Sequence, residues 1–253
     1  MTFDYDKYEN EEDLKNAIKE RLETLYKEAA TREVVGFENL PPLKGIIPRE
    51  TFIDNADAYY QIRNDDYIYE FVDLLKRYNI KDLKGTLNAI YNYIGYYFGK
   101  DGSEDKRREI LNSNATAGAP ADISCLRNQN AALCSERAAL AQNLFSFIGV
   151  ESYYITGEVG SKNGKGSHAF NVLKYNDKMF LYDSAFEVPC YDNDKLVGYR
   201  PFLSELDNSE IKYGTQFRTK DYQMVRQNGK VDKKIIGNRD YASGFITRDF
   251  DRD

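Results

Sequence analysis

LCSERAALAQNLFSFIGVESYYITGEV, from Leu133 to Val159, and SHAFNVLKYNDKMFLYDSA, from Ser167 to Ala185, decide the fold. Between Ser135 and Phe147, Leu140, Leu144 and Phe147 recur on one helical face, with Ala141, Phe145 and Ile148 beside them. Gly149 follows, the residue type that closes helices in the left-handed region. The period then changes. Ser152–Val159, His168–Tyr175 and Lys178–Ala185 are rich in β-branched and aromatic residues and read as consecutive strands. A helix feeding antiparallel strands, with further helices upstream, predicts an α+β fold.

Upstream, Leu14, Ile18, Leu22 and Leu25 form an apolar stripe in a helix from Glu11 to Ala30. PPLKGIIP, Pro41 to Pro48, breaks that pattern and reads as a connection. A second helix is expected from Asp65 to Tyr78, with Ile68, Phe71, Val72 and Leu75 on one face. A third follows Asp82, carrying Leu83, Leu87, Ile90, Ile94 and Tyr97 to an end near Gly99. KDGSEDKRRE is a charged turn into a short helix, and NSNATAGAPAD is a loop. Downstream, YQMVRQNGKVDKKIIG reads as a hairpin turning at Asn228-Gly229. GSKNGKGS, Gly160 to Ser167, reads as a long hairpin loop, with a mobile lid as the less favoured alternative. The expected organisation is a helical extension over 1–60 and a catalytic domain over 61–253.

Composition narrows the classes. With 35 basic and 41 acidic residues the formal charge is −6, which argues against nucleic acid as main partner. Lys230, Lys233 and Lys234 read as a solvated hairpin. No run has the length of a membrane span, and the acidic start MTFDYDKYENEEDLK lacks the apolar region of a signal peptide. Three cysteines fit no disulfide framework, so a reducing, cytoplasmic setting is expected; delivery through a secretion system without a cleaved signal stays open. Tyr is abundant, at 21 residues, and its clustering in the first hundred residues reads as amphipathic packing.

Chemistry concentrates on Cys134, His168 and Asp183. His168 is the only histidine in the chain, so one residue alone can serve as an imidazole base. If Asn176-Asp177 forms a tight primed turn, Tyr175 faces Lys178 and His168 falls opposite Ala185. Asp183 then shares a face with His168 as a diagonal neighbour, about 7–8 Å away at the backbone. Phe170, Val172, Leu181 and Met179 complete that face, and the Cys134 helix is expected to cover it. Cys134 opens the helix, where the dipole favours anions and free N–H groups can receive an oxyanion. Ser135 is expected to cap it. The roles that follow are Cys134 as nucleophile, His168 as general base and acid, and Asp183 as orienter of the ring. Cys125 lies in the loop DISCLRN and is a poorer nucleophile candidate, because no convincing helix begins just after it; Cys190 follows Pro189 and reads as structural. The scattered cysteines and one histidine form no zinc motif, no EF-hand calcium loop is present, and neither metal nor cofactor is expected.

The two stretches quoted above resemble the core of the transglutaminase-like superfamily within the papain-like cysteine enzymes. The likeness lies in a cysteine opening a helix with an alanine four residues on (Ala138), an Ile-Gly before the next strand, and a strand beginning with His followed by Ala and an aromatic. A further strand ends in Asp. It extends back to about Leu87, because IYNYIGYYFG resembles the helix before that family's cysteine. Ala132 and Ser184 stand where the family often has Gly and Pro, and the chain has no Trp. The resemblance implies a papain-like core with its helix packed on an antiparallel sheet. It also implies a side-chain amide as second oxyanion donor shortly before the cysteine; of Asn128, Gln129 and Asn130, Gln129 is the choice.

The expected activity is acyl transfer through a Cys134 thioester, cleaving or transferring an amide in a protein or peptide substrate. Hydrolysis, amine transfer and deamidation remain open, as do substrate and oligomeric state. A catalytically inactive binding module on the same fold is the alternative and predicts a displaced triad member. An unrelated α+β structural protein predicts Cys134 and His168 far apart.

Overall fold

The structure, a computed structural model, describes residues 3–31, 47–48, 59–100, 102–117, 119, 121–161, 164–193, 195–207, 211, 214–227 and 230–245. Side chains at 28–31, 47–48, 59, 161, 221–237 and 244–245 fall outside that description.

The helices form where periodicity and caps place them. α1 spans Glu11–Thr31 and buries Leu14, Ile18, Leu22 and Leu25. α2, Asp66–Arg77, buries Ile68, Phe71, Val72 and Leu75. The Asp82 carboxylate accepts from Gly85 N at 2.8 Å and starts α3, Leu83–Phe98, which stops at Gly99 (φ 79°). Ser103 caps α4, Glu104–Ser113. Most of Pro41 to Pro48 lies outside the described residues; its last two, β1 (Ile47–Pro48), pair with β2 (Tyr59–Gln61), which runs parallel to β3 (Ala121–Asp122).

α5, Cys134–Ile148, is the central element. Nearly every side chain on it is buried, apolar and polar alike. A helix enclosed all round has neighbours on every side, and α5 packs against α1, α3 and the strands that follow it. Gly149 (φ 81°, ψ 27°) closes it in the left-handed region.

The main sheet comprises β4 (Glu151–Ser161), β5 (Gly164–Tyr175), β6 (Lys178–Asp192), β7 (Lys195–Leu206), β8 (Gln216–Gln227) and β9 (Lys230–Phe245). Its order is β7-β6-β5-β4-β9-β8, antiparallel throughout. The outer strands β7 and β8 approach each other, so the sheet curls towards closure. Asn176 and Asp177 both take positive φ, 49° and 58°, which is the primed turn, and Tyr175 pairs with Lys178.

The sheet departs from two expectations. Gly160 to Ser167 forms no long loop: the β4–β5 ladder continues through Val159–Gly166 to Ser161–Gly164. Backbone pairing costs these small residues no steric strain, and period-2 patterning is blind to strands without apolar residues. Nor does α5 cover the face of Phe170, Val172, Leu181 and Met179. It covers the opposite one, where Asn171 bonds to α5 and the Tyr182 ring meets Phe145 edge-on at 5.0 Å. Phe170 instead meets Phe217 and Tyr241 of β8 and β9, at 6.2 and 4.8 Å. A curled sheet fills its concave side with its own side chains, and the helix takes the outside.

The described part of residues 1–60 shares this core. Tyr5, the α1 stripe and Tyr60 belong to one buried cluster with α5, and Arg21 donates to the Phe147 carbonyl. The Lys230, Lys233 and Lys234 backbones lie on β9, their side chains outside the described set.

Candidate active site

Cys134 is held from below by a buried charge cluster. Ser135 does not cap α5; Leu133 occupies the cap position. The Glu136 carboxylate reaches back to accept from Leu133 N at 3.0 Å, one half of a capping box. Its other oxygen pairs with Arg107 Nε at 2.8 Å, and Arg107 donates to the Tyr60 hydroxyl at 2.7 Å and the Ser135 hydroxyl at 3.0 Å. Ser135 therefore serves this cluster, which sequence reading missed because its members come from β2, α4 and α5. Glu136 at the third helical position was the only local signal.

The loop before Cys134 is stitched to the end of α3. Asn128 N and Asn130 N donate to the carbonyls of Tyr97 and Phe98 at 2.8 and 3.1 Å, groups the helix leaves unpaired. Arg137 Nη2 donates to the Gly99 carbonyl at 2.7 Å, and Asn130 Oδ1 accepts from Lys100 N at 2.8 Å. Asn128 and Asn130 adopt positive φ, 58° and 49°, which asparagine tolerates. Gln129 is exposed, its carbonyl accepting from Lys106, and among the described residues no hydrogen bond ties its side chain to Cys134 or His168.

His168 and Asp183 lie just past the end of the β5–β6 ladder, whose last pair is Asn171–Tyr182. The expected His168–Ala185 pair does not form, because β6 turns towards β7 through a bulge between Asp183 and Glu187. The two side chains nevertheless meet: His168 Nε2 is 2.7 Å from Asp183 Oδ2. Both are almost fully buried. Ala185 N donates to Asp183 Oδ1 at 2.9 Å. With Nε2 engaged by Asp183, Nδ1 is the ring nitrogen left for another partner, and the Cys134 sulfur lies near enough to act on the imidazole. Burial works against a charged ring, but the Asp183 carboxylate and then the Cys134 sulfur outweigh it and push His168 up to about 10.

β9 contributes what the sequence did not reveal. Tyr241, fully buried, donates its hydroxyl to Asp183 Oδ2 at 2.9 Å. Phe186 lies 5.1 Å from the imidazole, with the Arg239 guanidinium stacked on its outer side at 3.7 Å. A tyrosine 73 positions after His168 carries no motif that marks it; only sheet order brings β9 beside β4, with β5 the next strand over.

Cys125 stands apart in a single turn, Ile123–Leu126, its sulfur donating to the Asp122 carbonyl at 3.0 Å. Burial, reinforced by Asp122, pushes it up to about 12. Cys190 sits on β6 near its turn into β7, its sulfur 3.8 Å from the Val188 carbonyl. A cleft of about 630 Å³ runs between Asn130 and Arg137 on one side and Ser184, Ala185, Glu187 and Tyr199 on the other. A larger cavity, about 750 Å³, lies between α2 and α3, away from Cys134. Among the described residues, no group of three or more His, Cys, Asp and Glu is placed to hold a metal ion. No helix among them is long and apolar enough to cross a membrane.

Fold and site together define a mixed α+β protein with a buried imidazole–carboxylate pair beside a helix-terminal thiol. No protein-family model matches the chain, and no curated protein matches it. Among solved structures, a crystal structure of a TGase is similar to it, with a TM-score of 0.35 and 16% identity over 51% of this chain. The match spans 33% of that chain, about a third of its length.

Proposed function

We propose that the protein is a cysteine-dependent acyl-transfer enzyme of the transglutaminase-like kind, acting on an amide of a protein or peptide. The observation that carries this reading is the buried imidazole held at Nε2 by Asp183, with the Cys134 sulfur at the start of α5 near enough to influence it. An imidazolium beside a sulfur is the partner that a nucleophilic thiolate needs.

In the proposed reaction the Cys134 thiolate attacks the amide carbonyl carbon. A C–S bond forms and the π electrons move to oxygen. The N–H groups at the start of α5 receive that oxyanion, and Gln129 is the proposed second donor, its side chain lying on the loop before Cys134. The tetrahedral adduct collapses, the C–N bond breaks, and His168 gives its proton to the departing amine or ammonia. Water or an amine, losing a proton to His168, then attacks the thioester and returns the thiolate. Asp183 holds the ring throughout. The cleft of about 630 Å³ is lined by Arg137, one turn along α5 from Cys134, and by Ser184, next to Asp183, and its size suits a peptide segment. The catalytic unit proposed is residues 61–253, with 1–60 as a helical extension whose α1 packs on α5.

Peptide mapping after brief iodoacetamide treatment at about pH 6 tests the reading. The expected result is fast labelling of Cys134 over Cys125 and Cys190, with the preference removed by His168→Ala. Equal labelling of the three cysteines defeats it.

A further inference from the structure

We propose that Tyr241 is a positioning residue that tunes the His168–Asp183 pair: its hydroxyl shares the carboxylate oxygen that holds the imidazole and so eases the release of the ring's proton. This deepens the acyl-transfer reading and rests on it for its catalytic consequence.

The geometry separates orientation from tuning. Asp183 Oδ1 is fixed by Ala185 N at 2.9 Å, and Oδ2 by His168 Nε2 at 2.7 Å. The carboxylate is therefore already oriented without Tyr241. The hydroxyl adds a second donor, at 2.9 Å, on the same oxygen that faces the ring. Two donors on one oxygen divide its charge, and a carboxylate so relieved attracts an imidazolium less strongly.

Tyr241 is built to remain a donor. Burial, and then the Asp183 charge, raise its phenol far above the ordinary range, so it keeps its proton. Its ring sits edge-on to Phe170 at 4.8 Å, and this packing sets the direction of the hydroxyl. The groups facing the pair are Cys134 from α5, Asp183 from β6, and Tyr241 and Arg239 from β9. Arg239 acts on the Tyr241 hydroxyl and stacks on Phe186, so β9 presents one donor and one cation to the site.

The consequence is catalytic. An acid works best when its affinity for the proton lies near the operating pH, and His168, at about 10, holds its proton too tightly to deliver it readily at neutrality. Tyr241 pulls in the useful direction. Its counterweight was bought by burying a tyrosine hydroxyl with a partner of high charge.

His168 is the only histidine, so labelled protein gives one imidazole Cε1–H signal by NMR. Its titration midpoint is followed in the native chain, in Tyr241→Phe, and in a variant with 3-fluorotyrosine at position 241. The phenylalanine retains the ring and loses the donor; the fluorinated ring strengthens it. The expected midpoints move in opposite directions, up by about half to one unit for Tyr241→Phe and down for the fluorotyrosine chain. Unmoved midpoints, or shifts in the same direction, overturn the proposal and leave Tyr241 as packing. If Tyr241→Phe fails to fold, the fluorotyrosine chain alone decides by whether its midpoint falls. Failure of the acyl-transfer reading registers elsewhere, in unselective cysteine labelling, and does not touch these midpoints.

Discussion

Asn171, three residues along β5 from His168, donates its side-chain amide to the Ala138 carbonyl at 3.1 Å, one helical turn from Cys134. The same nitrogen lies 3.2 Å from Gln142 Oε1, and Gln142 in turn donates to the Ser152 carbonyl at 3.0 Å. The strand bearing the imidazole and the helix bearing the thiol are thus bonded to each other inside the core. Asn171→Ala removes the donor and leaves buried acceptors short of a partner, at a cost of about 1–3 kcal/mol. Urea unfolding measures that loss. Iodoacetamide mapping of the same variant should show the Cys134 preference reduced, because the two elements lose their shared register.

Arg107 offsets a carboxylate that has no water. Glu136 is fully buried, and the pair is 2.8 Å apart. Arg107→Met strands that charge beside the start of α5 and is expected to destabilise the fold by about 3–5 kcal/mol. Adding Glu136→Gln to the same chain should recover part of the loss, since the stranded charge goes. Denaturant midpoints of the single and double variants check this; a double variant no more stable than the single one contradicts it.

Stability should depend on pH through His168. Its folded value, about 10, lies above the ordinary histidine value of about 6.5, so the folded state binds the proton more tightly. The stabilisation is complete below about pH 6.5, declines above it, and is lost as pH rises through about 10. The gap in unfolding free energy between the native chain and His168→Gln should therefore narrow across that window. A gap that widens with pH would falsify the assignment of the proton to the folded ring.

Gly102 lets the α3–α4 turn touch the loop that leads to Cys134. A Cβ there would lie 2.2 Å from Ala131 Cα, and backbone cannot yield as a side-chain tip does. Gly102→Ala should cost about 1–3 kcal/mol, the usual scale of overpacking. It should also slow labelling of Cys134, three residues beyond Ala131. Thermal melts and alkylation rates of this variant provide the check.

Much of the architecture was legible because it is local. The stripes of α1, α2 and α3, the Asp82 cap and the Gly149 stop each follow from periodicity or backbone preference within a few residues. The Asn176-Asp177 turn set the parity that puts His168 and Asp183 on one face, and their side chains meet. The reading went astray where the cause is non-local. Ser135 reads as a cap until Arg107 and Tyr60 arrive from other elements to claim its hydroxyl. Glycine and lysine in Gly160 to Ser167 signal a loop by type, yet β9 on the far edge of β4 carries the ladder on, with Gly160 paired to Asp240.

By itself, then, the order of residues determined the helices, the hairpin parity and the identity of a unique imidazole, since each depends on torsions and spacing along a short piece of chain. Which side of the sheet α5 would cover was decided by curling alone: strand twist brings β7 towards β8, the concave face fills with Phe170, Phe217 and Tyr241, and the helix is left the convex one. The same curling delivers Tyr241 to Asp183 across 58 positions, a contact no local pattern encodes.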